Sequence, residues 1–143
     1  MHMRVSIPIL LEAAYASWAA QDLDATMACF AEDVVFATHL PADVVPFAGV
    51  SRGKVELRRQ LQMIIDQFEF LKYQPVQIST EGRLFHSQVK MHYRHRATGL
   101  TYKGRLRHVW EIEGDKITHF EEFHDPDRVR AFFQLIALYS PPS

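Results

Sequence analysis

From Leu84 to Pro126 the chain alternates, almost without a break, between side chains of opposite character, and no other stretch constrains the fold as much. Successive side chains of a strand point to opposite faces, so alternation of this kind means strands with one dry face. Leu84 to Ala97 sets Val89, Met91 and Tyr93 against Gln88, Lys90, His92 and Arg94. Leu100 to Glu113 sets Tyr102, Leu106, His108, Trp110 and Ile112 against Lys103, Arg105, Arg107, Val109 and Glu111. Lys116 to Pro126 sets Phe120, Glu122 and His124 against His119, Glu121 and Phe123. Thr98-Gly99 and Gly114-Asp115 are the turns between them, the second a tight hairpin. Strands joined by turns this short run antiparallel. Strands of about ten residues in a small sheet also twist and curl.

The first half has the other period. Between Ser6 and Ala20, the residues Leu11, Ala14, Tyr15 and Trp18 recur at three- and four-residue spacing, which is the stripe of an amphipathic helix. Asp22 or Asp24 can cap a second, short helix running through Phe30, with Met27, Cys29 and Phe30 facing inward. Val34 to Thr38 reads as a short strand. Pro41, Pro46 and Gly49 exclude regular structure from His39 to Gly49, and the two prolines would stiffen that loop as a lid over a pocket. Ser51 or Gly53 opens a third helix to Phe68. Its buried stripe is Val55, Leu57, Leu61, Ile64, Ile65 and Phe68, and its wet side is Arg58, Arg59 and Gln62. Phe70 to Thr80 is a strand, and Glu81-Gly82-Arg83 its turn. Asp125-Pro126 starts a last helix with proline in its first turn and Val129, Phe132, Phe133 and Ile136 on its apolar side. Helices first and strands after argue the α+β class: N-terminal helices packed on a curved antiparallel sheet that encloses a cone-shaped pocket.

Residues 1–143 have the size of one ordinary domain. Sixteen basic against seventeen acidic residues give a net charge of -1, which offers nothing to nucleic acid or an anionic membrane. Cys29 is the single cysteine, so no intramolecular disulfide forms, and its apolar surroundings mark it as core. The apolar run Ile7 to Leu11 stops at Glu12, short of a secretory core, and no stretch is long enough to span a bilayer. The expectation is a cytoplasmic protein.

Three segments carry a family resemblance. They are Trp18 to Asp24 followed by Cys29 to Val34, then Phe47 to Lys54, then His108 to Ile117. In this order they resemble the NTF2-like superfamily, and within it the SnoaL-like and ketosteroid-isomerase-like branch, over nearly the whole chain. The resemblance implies the cone-shaped α+β fold, a fold that hosts cyclases, isomerases, hydrolases, dehydratases, transport factors and association modules. The catalytic set of ketosteroid isomerases is not kept. Thr38, with His39 beside it, stands where they carry an Asp base. Ala14 falls at the place of their oxyanion tyrosine, with Tyr15 one place off and pointing elsewhere, and His108 stands at the place of their protonated Asp. Glu122 falls where SnoaL-type cyclases and limonene-epoxide-hydrolase-like members carry an acid, but the strand 84–97 lacks the acidic partner of the hydrolases. Relatives of this kind dimerise through the outer sheet face, which implies a homodimer.

The candidate site follows from the alternation. If the Phe120 face looks into a cavity, Glu122 is a carboxylate among aromatics, with a raised pKa and the makings of a proton shuttle. His108 on the neighbouring strand shares that face, within reach of Glu122. Glu122 is the candidate base, His108 its partner or an electrophile, and His39 a second-tier candidate at the pocket rim. Tyr15, Trp18, Trp110, Phe120 and His124 are candidate ligand contacts, and their rings suit a small apolar or aromatic ligand. No cofactor is required, because proton transfer needs only tuned acids and bases. No local spacing of the eight histidines supports a metal site. The pair equally suits a binding module without turnover, or a buried polar pair with structural work alone. On the outer face, Lys90, Arg94, Arg96, Lys103, Arg105 and Arg107 form a basic patch, either a solvated face paired with Glu111, Glu113 or Glu121, or a subunit interface.

Overall fold

In the computed structural model, residues 3–4 and 8–140 are described. The first helix, α1, spans Ile9–Ala19, so the expected start at Ser6 lies outside the described residues. Its stripe is as the periodicity requires: Leu11, Ala14, Tyr15 and Trp18 are all buried. The short α2 (Leu23–Met27) is capped by Asp22, whose carboxylate accepts the Ala25 N–H at 3.2 Å. Met27, Cys29 and Phe30 follow into the core.

Among the described residues the sheet has seven strands: β1 (Met3–Arg4), β2 (Phe30–His39), β3 (Gly49–Arg52), β4 (Phe68–Glu81), β5 (Leu84–His95), β6 (Thr101–Glu113) and β7 (Lys116–Phe123). They lie in the order β1-β4-β5-β6-β7-β2-β3. The meander β4 to β7 is antiparallel, as the short turns require. The β2–β7 pair is parallel, so the sheet is mixed rather than wholly antiparallel. The strand expected at 34–38 is twice that length, and a short strand, β3, was not expected at all. It begins at Gly49, whose φ of 109° suits glycine.

The third helix, α3, runs Lys54–Gln67 behind Gly53, whose φ is 83°. Leu57, Leu61, Ile64 and Phe68 are buried, but Val55 is 78% exposed, because at about 100° per residue it stands about 200° round the helix from Leu57, on the solvent side. Gln60 takes an inward place instead. It accepts from the Ser51 hydroxyl and donates to Phe47 O at 2.6 Å, tying the 40–48 loop to the helix. The last helix, α4, is Pro126–Tyr139, capped by Asp125 on the Arg128 N–H, with Val129 and Phe132 buried. Arg128 donates to Lys103 O at 2.6 Å and Arg130 pairs with Asp43, so α4 and the 40–48 loop close the same end of the cone. No helix among the described residues is long and apolar enough to cross a membrane.

The β6–β7 register carries one irregularity of consequence. Glu113 pairs with Lys116 across Gly114-Asp115, but the ladder slips between Glu111 and Ile112, leaving Thr118 as an extra residue on β7. Its hydroxyl donates to Glu111 O at 3.2 Å. Without the slip, a two-residue hairpin would set His108 opposite Glu121. With it, His108 faces Glu122 and Trp110 faces Phe120.

Candidate active site

The registers place Ser87 opposite His108, His108 opposite Glu122, and Glu122 beside Thr38. Paired residues share a face, so these four form one polar row across the inner side of β5, β6, β7 and β2. The next row is aromatic: Phe85, Trp110, Phe120 and Phe36. Trp110 stacks on Phe120 with ring centroids 4.0 Å apart, and His108 meets the edge of Phe120 at 4.7 Å.

In front of these rows lies a cavity of about 90 Å³. It is walled by Tyr15 and Trp18 from α1, Tyr73 and Tyr93 from the sheet, Phe132 and Phe133 from α4, and other apolar side chains. Glu122 and His124 stand in the same wall, and among the described residues no lysine or arginine does. The expected contacts Tyr15, Trp18, Trp110, Phe120 and His124 therefore all border the cavity.

Glu122 accepts two imidazole N–H groups, from His108 Nε2 at 2.9 Å on one oxygen and from His124 Nε2 at 2.7 Å on the other. The side chains are 0% (His108), 14% (Glu122) and 11% (His124) exposed. Burial pushes the Glu122 carboxyl up, but the charge of His124 and the hydrogen bonds from both imidazoles outweigh it and hold the carboxyl well below its ordinary value. The raised pKa expected of a carboxylate among aromatics is thus reversed, because the aromatic wall is interrupted by two nitrogen donors. Burial acts on His108 the other way, holding it neutral against the pull of Glu122.

These states fix the sense of a longer chain. A carboxylate can only accept, so His108 donates through Nε2 and its Nδ1 is an acceptor. Its donor is the Tyr15 hydroxyl, 2.7 Å away. The tyrosine oxygen in turn accepts from the Ser87 hydroxyl and from Trp110 Nε1 at 3.0 Å, and the same indole N–H reaches Ser87 Oγ at 2.9 Å. Tyr15 therefore points at His108, not elsewhere as its offset from the ketosteroid-isomerase position implied. The helix turns it into the polar row from above. Burial pushes the hydroxyls of Tyr15, Tyr73 and Tyr93 up, so all three stay protonated. Two atoms at the row are sealed from solvent without a hydrogen-bond partner, Thr38 Oγ1 and His124 Nδ1.

His39 does not join this constellation. It follows Thr38 on β2 and so faces the opposite side of the sheet, where it stacks on Phe123 at 4.5 Å and pairs with Glu121 at 3.0 Å, both partners half exposed. Among the described residues, no group of three His, Cys, Asp or Glu side chains stands ready for a metal. On the outer face, the acids expected to pair with the basic patch hold histidines instead, His119 on Glu111 at 3.4 Å and His39 on Glu121. Arg94 pairs with Glu69 at 3.2 Å, Arg107 lies over the Phe123 ring, and Lys90 stands directly opposite Arg105. Ser87, Tyr73 and Tyr93 are site residues that alternation alone did not single out. Their only sequence signal was their share of the inner face.

Fold and cavity together define a cone of helices on a curved, unclosed sheet, with an acid and an imidazole, Glu122 and His124, in the wall of an aromatic cavity. The chain belongs to the SnoaL-like family, whose sequence profile matches residues 11–120. No curated protein matches it significantly in sequence. Solved structures share its fold over most of the chain. A protein with a ketosteroid isomerase-like fold from Catenulispora acidiphila, in complex with trimethylamine, is 15% identical with a TM-score of 0.77, over 95% of this chain and 100% of its own. An NTF2-like protein from Burkholderia thailandensis is 23% identical with a TM-score of 0.71, over 93% and 95%. A candidate SnoaL-like polyketide cyclase from Mesorhizobium loti is 19% identical with a TM-score of 0.66, over 84% and 100%. At these identities the likeness concerns the NTF2-like fold.

Proposed function

We propose that this SnoaL-like protein is an acid–base enzyme for a small molecule bound in the cavity. It would move a proton next to a carbonyl, or run a cyclisation, hydration or dehydration. The observation that carries this reading is His124. Its Nε2 is held by Glu122, it borders the cavity, and its Nδ1 has no partner. An unpartnered buried ring nitrogen costs about 1–3 kcal/mol, which a ligand hydrogen bond would recover. The reacting group is then His124 rather than Glu122. Glu122 is the ionised anchor that orients His124 and steadies the imidazolium formed when it takes a proton. His108 acts through Glu122, because both its nitrogens are engaged.

The test is deuterium exchange. A panel of small carbonyl compounds is incubated with the protein in deuterated water and followed by proton NMR. The expected result is exchange at carbon next to the carbonyl for some member of the panel, lost by at least a hundredfold in His124→Gln. Equal exchange in the variant sinks the reading.

A second reading is a binding module without turnover for a small organic ammonium ion. The ionised Glu122, the absence of lysine and arginine from the cavity wall and its many aromatic rings favour a cation. The trimethylamine held by the Catenulispora acidiphila protein supports a ligand of that size. Tetramethylammonium, tert-butanol and pivalate share a shape and differ in charge. Binding of the cation alone, with no exchange activity, would favour this reading. We also propose that the outer sheet face joins two copies, its basic β5–β6 half meeting the acidic Glu111 and Glu121 of the partner across a two-fold.

A further inference from the structure

The polar row runs from the cavity wall, where Tyr15 and Trp110 stand, to Ser87 and His108 behind it. Ser87, Tyr15, His108 and Trp110 are all buried. At one end stands an indole N–H, which only donates, and at the other a carboxylate, which only accepts. Between them lie three groups that each donate once and accept at least once. With donor-only and acceptor-only ends, the run from Trp110 through Ser87, Tyr15 and His108 to Glu122 keeps all its members partnered in one direction.

We propose that Ser87 and Tyr15 are positioning residues that hold His108 as the neutral, Nε2-protonated imidazole, and thereby keep Glu122 ionised and His124 oriented for proton transfer. The physical reason lies at Nδ1 of His108. A donor on that nitrogen stabilises the neutral ring and opposes its protonation. For His108 to take a second proton there, the Tyr15 hydroxyl must turn from donor to acceptor. Ser87, itself buried, would then lose the oxygen it donates to. A protonated His108 would also draw the charge of Glu122 to itself, weakening its hold on His124. The titratable groups facing His108 are Tyr15 from α1, Glu122 from β7 and His124 after it, while β5 contributes the Ser87 hydroxyl.

This inference rests on the site reading above, but its test needs no substrate. Nitrogen-15 NMR of the histidines reports which ring nitrogen carries the proton and at what pH the second one binds. In the wild type, His108 shows a single tautomer with hydrogen on Nε2 and a hydrogen-bonded, unprotonated Nδ1. In Tyr15→Phe the Nδ1 signal moves to that of a free acceptor, and the titration midpoint of His108 rises by about one pH unit, the equivalent of one hydrogen bond. Ser87→Ala moves the midpoint in the same direction by less, and Ser87→Thr restores it. A purely structural role for these residues would lower stability and leave tautomer and midpoint in place, and that result overturns the proposal. So does a wild-type His108 protonated on Nδ1. Should Tyr15→Phe fail to fold, the wild-type tautomer and the Ser87 pair decide the matter. Unchanged exchange activity in His124→Gln would instead remove the enzyme reading and leave the His108 result standing.

Discussion

Glu122 is the residue on which pH dependence turns. Its folded carboxyl titrates below the ordinary 4.5, so its contribution to stability is present above that value and is lost as pH falls through the folded midpoint. His108 is held below its ordinary 6.5, so the unfolded chain binds its proton first, and stability falls as pH drops through the region below 6.5. Both act in the same direction, and acid should unfold the protein in two stages. Glu122→Gln should shrink the lower stage, to which Asp43 also contributes through Arg130, and keep the upper one, as read from thermal melting between pH 7 and 2. Burial likewise separates a valine and a leucine of α3 that look alike in sequence. Leu57 is wholly buried and Val55 is 78% exposed, so Leu57→Ala should cost about 2–5 kcal/mol in chemical denaturation and Val55→Ala under about 0.5 kcal/mol.

At the scale of the element, β7 decides whether there is a site at all. Thr118 is the extra residue of its bulge, so deleting it restores a regular hairpin in which Trp110 still meets Phe120 and His108 still meets Glu122. That deletion should be tolerated, at a cost of about 1 kcal/mol for the lost Thr118 hydrogen bond. Deleting Glu121, three residues further on, should turn Glu122 to the outer face and erase the His108–Glu122 contact, visible as loss of the wild-type His108 signals in NMR. The helix α4 is the other deciding element. It carries Phe132 and Phe133 into the cavity mouth and is tied down at its N-terminal end by Asp125, Arg128 and Arg130. Asp125→Ala should lower stability by about 1 kcal/mol through loss of the cap, measured by urea unfolding.

The whole molecule poses the question of assembly. Lys90 opposite Arg105 is a like-charge pair at the middle of an exposed face, a mildly unfavourable arrangement in an isolated subunit. If two copies cover that face, sedimentation at low salt should show a dimer. Glu121→Arg, which adds to the positive charge where the partner's basic half would dock, should shift the equilibrium toward monomer. A wild-type monomer at tens of micromolar would remove the proposed interface.

Periodicity by itself determined which way most side chains point. Leu11, Ala14, Tyr15 and Trp18 form a buried stripe because a helix repeats every 3.6 residues, and His108, Trp110, Phe120 and Glu122 share a face because a strand repeats every two. The α+β class and the inward place of the acid and the imidazole were therefore legible, as was the proline-led start of α4. Tertiary structure alone decided the rest. A bulge cannot be read from alternation, and it is the bulge at Thr118 that aligns the polar row. The sign of the Glu122 shift depended on two nitrogen atoms, one on another strand and one past the end of its own. Tyr15 reached His108 through a helix packed across the sheet, and His39 was lost to the outer face by standing one residue beyond Thr38. Local pattern sets the direction of a side chain. Its partners, and with them its charge, come from chain segments that only folding brings together.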